Sequence, residues 1–227
     1  LKVLDLTTIV SGPYAASLLA DLGADVIKVE PPAPGDSARV FESTEPRYTM
    51  DGLSPHIMTL SRNKRGIVIN LRNPDGQQTF DDLVEWADIV IDNYRPGVTQ
   101  RLKIDYPSLC EVNPQIITCS ITGYGETGPG RDRAALDACI QAYAGVMGIT
   151  GDPDGGPMRA GPLYGDASSG MAGALGILAA VIARDRTGVG QHIDISMLDV
   201  QVSMLTYIAT MQNINKNKRD EEACQET

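Results

Sequence analysis

A single carboxylate stands at the mouth of an apolar stretch. In GPLYGDASSGMAG, residues 161–173, Asp166 is surrounded by small or apolar side chains and one tyrosine, and ALGILAAVIA follows directly. At a helix start such a group can do one of two things. It can cap the helix by accepting a hydrogen bond from an early N–H, for about 1 kcal/mol. It can also act as a nucleophile, because the helix dipole favours the ionised form and carboxylates form covalent intermediates. Gly165, Gly170 and Gly173 would let a ligand or another backbone come close. These thirteen residues leave both readings open.

Other groups can bind rather than react. SRNKRG (residues 61–66) gathers Arg62, Lys64 and Arg65, a cationic knot suited to an anion such as phosphate or a plain solvated turn. NYRPGVTQRL (93–102) carries Asn93, Arg95 and Arg101 just after an expected strand, where its arginines can project over a sheet edge. GYGETG, which includes Gly123, Tyr124 and Gly125, matches G-x-G-x-x-G. That pattern can cradle a pyrophosphate where it opens a helix behind the first strand. Here it follows the fifth strand, and Pro129-Gly130 separates it from the next helix. A loop shaped for close approach to another ligand is the better reading. Asp137 and Gln141, at i and i+4, are expected to share one helix face.

Several chemistries lack their residues. Cys110, Cys119, Cys139 and Cys224 form no C-x-x-C pair and only His56 and His192 join them, so no metal site is expected. The histidines lie far from any serine motif, which leaves a Ser-His-Asp triad without support. Scattered cysteines suit reduced thiols inside a cell. The 227 residues carry net charge −10, against the basic field that nucleic acid requires. The most apolar run, Ala172 to Ala183, is shorter than the roughly 18 residues of a membrane span, so no membrane partner is expected. The opening LKVLDL reads as a strand rather than a signal peptide. Without an initiator Met, the chain is expected to enter its domain just after the true start.

The elements that must position these groups alternate. Strands are expected at Lys2–Leu6, Asp25–Glu30, Gly66–Leu71, Asp88–Asn93, Gln115–Ile121 and Gln191–Ser196. Apolar residues at helical spacing mark helices after Gly12-Pro13 and after Asn73-Pro74, and a short one from Pro96 to about Leu102. A helix from about Ala134 to Gly148 would turn Leu136, Cys139, Tyr143 and Val146 inward. The Asp166 helix is expected over about Ala167 to Arg184, and a last helix begins at Met197. Pro31 to about Arg62 reads as a long loop. The alternation predicts an α/β fold, a doubly wound, mostly parallel, Rossmann-like sheet with ligands at the carboxyl ends of its strands. It would occupy residues 1–211. The polar, aperiodic residues 212–227 read as a disordered or foreign tail.

KVLDLTTIVSGPYAASLLADLGADVIKVEPP, RNKRGIVINL, DNYRPGVTQRL, NPQIITCSITGYGETGP and GDASSGMAGALGILAAVIARDRTGVGQHIDISMLD occur in this order. Together, over residues 1 to about 207, they resemble the class III CoA-transferases, the family of formyl-CoA and carnitine CoA-transferases and of α-methylacyl-CoA racemases. The resemblance implies that Asp166 attacks an acyl-CoA thioester to form a mixed anhydride, and that CoA then forms an aspartyl-CoA thioester on which a carboxylic acid acceptor acts. It implies coenzyme A as a substrate and no prosthetic group. It places Arg101 on CoA and Arg62, Lys64 and Arg65 toward its adenine and phosphate end. Asn93, Gly123, Tyr124, Gly125, Asp137 and Gly165 fall around the substrate. It implies a homodimer of the full-length chain, while the scattered cysteines suggest an intracellular site, the cytoplasm or alternatively mitochondria.

The departures carry information. Leu136 stands where the racemases have histidine and many transferases tyrosine. Leucine cannot move a proton, which weighs against the alternative of a 2-methylacyl-CoA racemase. Thr8 replaces a frequent Arg or His. Val10 replaces the glutamine of formyl-CoA transferases, against formyl or oxalate specificity. Family members are nearly twice as long, so their small domain would be missing here. The further alternative is then a truncated, inactive chain that binds CoA or a partner.

Overall fold

The computed structural model describes residues 1–40, 47–152 and 154–215. Six strands form one parallel sheet: β1 (Lys2–Asp5), β2 (Asp25–Glu30), β3 (Lys64–Val68), β4 (Ile89–Asp92), β5 (Ile117–Thr122) and β6 (His192–Ser196). Their order is β3-β2-β1-β4-β5-β6, so the chain leaves β1 toward one edge and returns at β4 on its other side. That reversal is the switch point at which such sheets open a crevice. β4 and β5 are buried along their whole length, as the covered middle of a parallel sheet requires.

Strand side chains alternate between two cores. Val3, Val26, Ile89, Ile91, Ile117, Cys119 and Ile121 face one side, under α1 (Ser11–Asp21) and α7 (Tyr164–Thr187). Leu4, Leu6, Ile27, Val29 and Val90 face the other, where Phe80 and Val84 of α3 (Pro74–Trp86) and Leu109 of α5 (Tyr106–Val112) pack. The start of α3 is set locally: Asn73 accepts from the Asp75 N–H at 3.0 Å and Pro74 takes the first turn.

Several boundaries differ from the sequence reading. β3 begins at Lys64 because its pairing runs from Val26↔Lys64 to Glu30↔Val68, and the Lys64 ammonium is drawn onto buried Asp5. The expected long loop contains a 3-10 turn at Ser37–Arg39 and α2 (Pro55–Leu60), capped by Ser54; residues 41–46 lie outside the described part. α5 was not foreseen, its seven residues being too few to show a period. The short helix after Pro96 is α4 (Val98–Arg101). The helix expected over 134–148 is only α6 (Asp137–Tyr143), ended by Gly145 at φ +85° and followed by a 3-10 turn at Val146–Ile149. Its inward face is also the opposite one. Leu136, Cys139 and Tyr143 are exposed, while Asp137, Ile140 and Gln141 are buried, because Asp137 and Gln141 find polar partners inside; Val146, beyond the helix in the 3-10 turn, is buried as expected. β6 runs into α8 (Met197–Met204), capped by Ser196, and 207–215 are again helical. Of the expected tail, 212–215 belong to that helical stretch and 216–227 lie outside the described residues.

α7 has 24 residues, starts three earlier than expected and is long and apolar enough to cross a membrane, with mean hydropathy 1.5 over an 18-residue stretch. The run Ala172–Ala183 understated it. Here one face of the helix packs into the sheet layer, through Ala174, Ile177 and Ala180. Its glycines explain how closely it lies. A Cβ on Gly170 would stand 2.7 Å from the Ser11 carbonyl oxygen and 3.0 Å from the Tyr14 ring, and one on Gly173 2.9 Å from Ile121 Cδ1. The close neighbours expected at these positions are α1 and β5, not a ligand.

Gly170→Ala should therefore force α1 and α7 apart. The expected cost is about 1–3 kcal/mol, a Tm drop of roughly 3–10 °C by calorimetry. Gly66→Ala, whose new Cβ meets open space, should leave Tm unchanged. Equal effects of the two substitutions would refute the close-packing account.

Candidate active site at the carboxyl edge of the sheet

The switch-point crevice holds a cavity of about 340 Å³. Thr8–Ser11 after β1, Asn93–Pro96 after β4 and Thr122–Gly123 at the end of β5 form its floor. Arg131, Arg133, Leu136, Asp137, Asp166 and Met197 close its sides. The first two loops are tied together by Asn93. Its Oδ1 accepts from the Thr8 N–H at 2.9 Å, and its Nδ2 donates to the Thr8 carbonyl at 2.8 Å. Ile9 sits at φ +67°, a left-handed conformation that β-branched residues rarely adopt. Its N–H donates to Asp36 Oδ1, which holds it there.

Beneath this floor lies a buried ionic frame. Lys64 Nζ donates to Asp5 Oδ2 at 2.8 Å and to the Pro13 carbonyl at 2.9 Å. Lys28 Nζ donates to the Thr7 carbonyl at 2.7 Å and lies 2.9 Å from Asp36 Oδ2. Burial pushes Asp5 up, but Lys28 and Lys64 outweigh it and hold the carboxyl below its usual range. The frame fixes the backbone that leads into Ile9.

Asp166 is in the first turn of α7, two residues inside it, and caps nothing. No hydrogen bond reaches its carboxylate from the described residues. The capping role belongs to Asp137 of α6. Asp137 Oδ1 accepts from the Gly165 N–H at 2.7 Å and the Asp166 N–H at 3.1 Å. Its Oδ2 accepts from Gln141 Nε2 at 2.7 Å, and Gln141 Oε1 accepts from the Ala160 N–H at 2.9 Å. Asp166 is thus left beside a second carboxylate with the helix-start donors already used. Burial, and then the Asp137 charge, push it up to about 7. The expectation that a carboxylate here stays fully ionised is corrected: the dipole's benefit goes to Asp137.

The structure brings Asp166, Asp137, Asn93 and Gly123 to one cavity, with Gly165 directly behind it. Tyr124 packs edge-on against Tyr143 outside the cavity, and Gly125, at φ +81°, faces Asp194. The glycine loop opens no helix, since α6 begins only at Asp137. Arg62, Lys64 and Arg65 are not brought there. Arg62 pairs with Asp21, Lys64 is buried on Asp5, and Arg65 pairs with Asp25 at 2.7 Å beside the Trp86 ring. Arg101 lines a separate hollow of about 490 Å³ with Arg72 and Lys103. A middle hollow of about 480 Å³ shares Tyr94 with the cavity and Leu71, Arg72 and Leu102 with the Arg101 hollow. The three hollows are neighbours along the carboxyl edge of the sheet.

Arg72, Lys103, Arg131, Arg133 and Thr122 were missed from sequence. Arg72 had a readable signal, since it follows β3 at the same carboxyl edge. Thr122 had none. Neither histidine lines the cavity. His192 bonds Glu126 at 2.8 Å and Thr118 Oγ1 at 2.7 Å, on the far face of β5 and β6.

Comparison with known proteins bears on this site. The sequence model of CoA-transferase family III matches residues 1–226. A succinate–glutarate CoA-transferase of Agrobacterium fabrum is 41% identical over 219 residues, covering 95% of this chain and 53% of that protein. An acetyl-CoA:oxalate CoA-transferase of Acetobacter aceti is 40% identical over 208 residues, covering 91% and 52%. The crystal structure of a CAIB/BAIF family protein from Brucella suis superposes with TM-score 0.86 at 40% identity, over 92% of this chain and 56% of that one. The chain spans about half the length of the curated relatives it matches.

The strained charge at Asp166 has a thermodynamic signature. A carboxyl whose folded value is raised to about 7 binds its proton more tightly when folded, so its penalty is absent at low pH and grows as pH rises toward 7. Asp166→Asn carries no charge. It should match wild type in Tm at pH 4 and exceed it at pH 8. A variant no more stable than wild type at pH 8 would mean that the carboxylate is solvated or paired. Asp137→Ala orphans the Gly165 and Asp166 N–H groups and should cost about 1–3 kcal/mol by denaturant unfolding.

Proposed function

The chain belongs to CoA-transferase family III, and on that premise we propose that the complete protein moves CoA from an acyl-CoA to a carboxylic acid, with Asp166 as the nucleophile. The observation that carries this is a buried carboxylate, free of hydrogen bonds from the described residues, in a cavity at the switch point. A desolvated carboxylate without donors is more reactive than a solvated one.

The steps balance as follows. An ionised Asp166 oxygen attacks the thioester carbonyl and CoA thiolate leaves, giving a mixed anhydride. The thiolate attacks the aspartyl carbonyl, releasing the first carboxylate and leaving an aspartyl-CoA thioester. The acceptor carboxylate attacks that thioester and expels the thiolate, giving a second anhydride. Thiolate attack on the acceptor's acyl carbon yields the new acyl-CoA and restores Asp166. Each attack places negative charge on an oxygen beside Asp166, where donors are needed.

The neighbouring hollows suit a ligand as long as CoA. Its thioester end would lie in the Asp166 cavity and its phosphates against Arg72, Arg101 and Lys103, for which no ion pair is formed among the described residues. Arg95, Arg131 and Arg133 on the cavity wall would suit the second carboxylate of a dicarboxylic acid. The relatives named for succinate, glutarate and oxalate support that substrate class. The racemase alternative finds no support, since Leu136 is exposed and no histidine reaches the cavity.

Incubation of the complete protein with dicarboxylyl-CoA donors and hydroxylamine should give a hydroxamate on Asp166, mapped by peptide mass spectrometry. Asp166→Asn should lose it and cut kcat by more than about a thousandfold. Wild-type kcat/KM should rise with pH through an apparent value near 7. Turnover retained in Asp166→Asn would overturn the assignment.

A further inference from the structure

Ile9 carries two costs at one position. Its backbone is left-handed, at φ +67°, a region that glycine enters freely and a β-branched residue does not. Its side chain is large and apolar, yet the residue is 41% exposed, so burial in the core does not offset the strain. The other left-handed non-glycine residues among those described, Asp51, Asn63, Lys103 and Thr206, do not line the Asp166 cavity, and Ile9 does.

The conformation is held from three sides. The Ile9 N–H donates to Asp36 Oδ1 at 3.2 Å, and buried Asp36 is itself fixed by Lys28 and by the Ala38 N–H. Before Ile9, Asn93 clamps both backbone groups of Thr8. After it, the Val10 carbonyl accepts from the Tyr14 N–H at 2.8 Å, in the first turn of α1. Glycine would take the same φ without such restraint. Strain that is over-determined in this way points to a use for the side chain.

The cavity offers that use. Asp166, Arg95, Arg131 and Arg133 give it a polar lining, and Ile9 and Leu136 an apolar one. A dicarboxylic acyl group has the same pattern, a thioester carbonyl and a carboxylate with methylenes between them. With the carbonyl at Asp166 and the carboxylate at the arginines, the methylenes fall to the apolar wall.

We propose that Ile9 is a specificity-determining residue, whose side chain packs against the methylenes of the bound acyl group and removes them from water. The assignment rests on the acyl-transfer reading of the cavity and on its dicarboxylic substrate. It explains why an isoleucine stands where a glycine would be less strained.

The test uses Ile9→Ala and Ile9→Gly in the complete protein, with Tm, KM for glutaryl-CoA and the inhibition constant of free CoA as readouts. Both variants should raise KM for glutaryl-CoA about 5- to 30-fold and leave the CoA constant within about twofold, since the lost contact is with the acyl group alone. Ile9→Gly should also keep or raise Tm, because glycine is unstrained at positive φ. A fall in its Tm would show that the side chain packs within the fold and would overturn the inference. An equal rise in the CoA constant would place the contact on CoA and overturn it too. If wild type turns over glutaryl-CoA and Ile9→Ala does so with the same KM, this inference alone fails. If wild type turns over no dicarboxylyl-CoA, the reading of the cavity fails and takes this one with it.

Discussion

The site depends on where Asp137 sends its two oxygens. One takes the first free N–H groups of α7 and the other takes Gln141, whose own carbonyl holds the chain at Ala160. One buried side chain thus joins α6, the loop before α7 and the start of α7. Gly165 lets Asp137 come close, because a Cβ would stand 3.0 Å from Asp137 Oδ1 and press on it. The same contact turns the polar face of α6 inward and leaves Leu136 and Tyr143 outside. It also separates two carboxylates by role. Asp137 receives the helix-start donors, while Asp166 receives burial and a neighbouring negative charge. Two acidic residues near one helix start look alike in composition, and their hydrogen bonds tell the cap from the unpaired carboxylate.

The floor of the cavity is fixed by a second buried set of charges. Asp5, Lys64, Lys28 and Asp36 are almost wholly removed from water. Such pairs add little net stability, since desolvation consumes most of their attraction, but they tolerate few arrangements. Here they hold the chain after β1, including the left-handed Ile9, against the loop after β4 that Asn93 clamps. Strain of this kind survives where the surroundings over-determine it. The switch point supplies the gap between the two loops, and the buried ions keep its shape.

Charge in this acidic chain is unevenly distributed. Arg62 and Arg65 neutralise Asp21 and Asp25 on the outside of the sheet layer. Arg72, Arg101 and Lys103 gather along the hollows at the carboxyl edge, with Arg95, Arg131 and Arg133 nearer Asp166. A net charge of −10 excludes a general affinity for anions. The cations at the edge instead make a local field, which fits recognition of a small polyanion at one place.

The sequence by itself determined the layout. Short apolar strands alternating with helices demanded a parallel sheet covered on both faces, and glycine, proline and asparagine marked most of the turns. It located Asp166 at a helix start, paired Asp137 with Gln141, and put Asn93 and Arg101 after a strand. Those signals are local, and local signals survive in a linear chain. Tertiary structure decided what each group is for. Lys64 looked like one of three phosphate-binding cations, yet it crosses from β3 to buried Asp5. Asp166 read equally as a cap or a nucleophile, and a carboxylate 29 residues earlier does the capping. The inward face of α6 followed from polar partners that apolar spacing does not register. Burial and hydrogen-bond partnership arise between distant segments, so they become definite only when the chain has closed on itself.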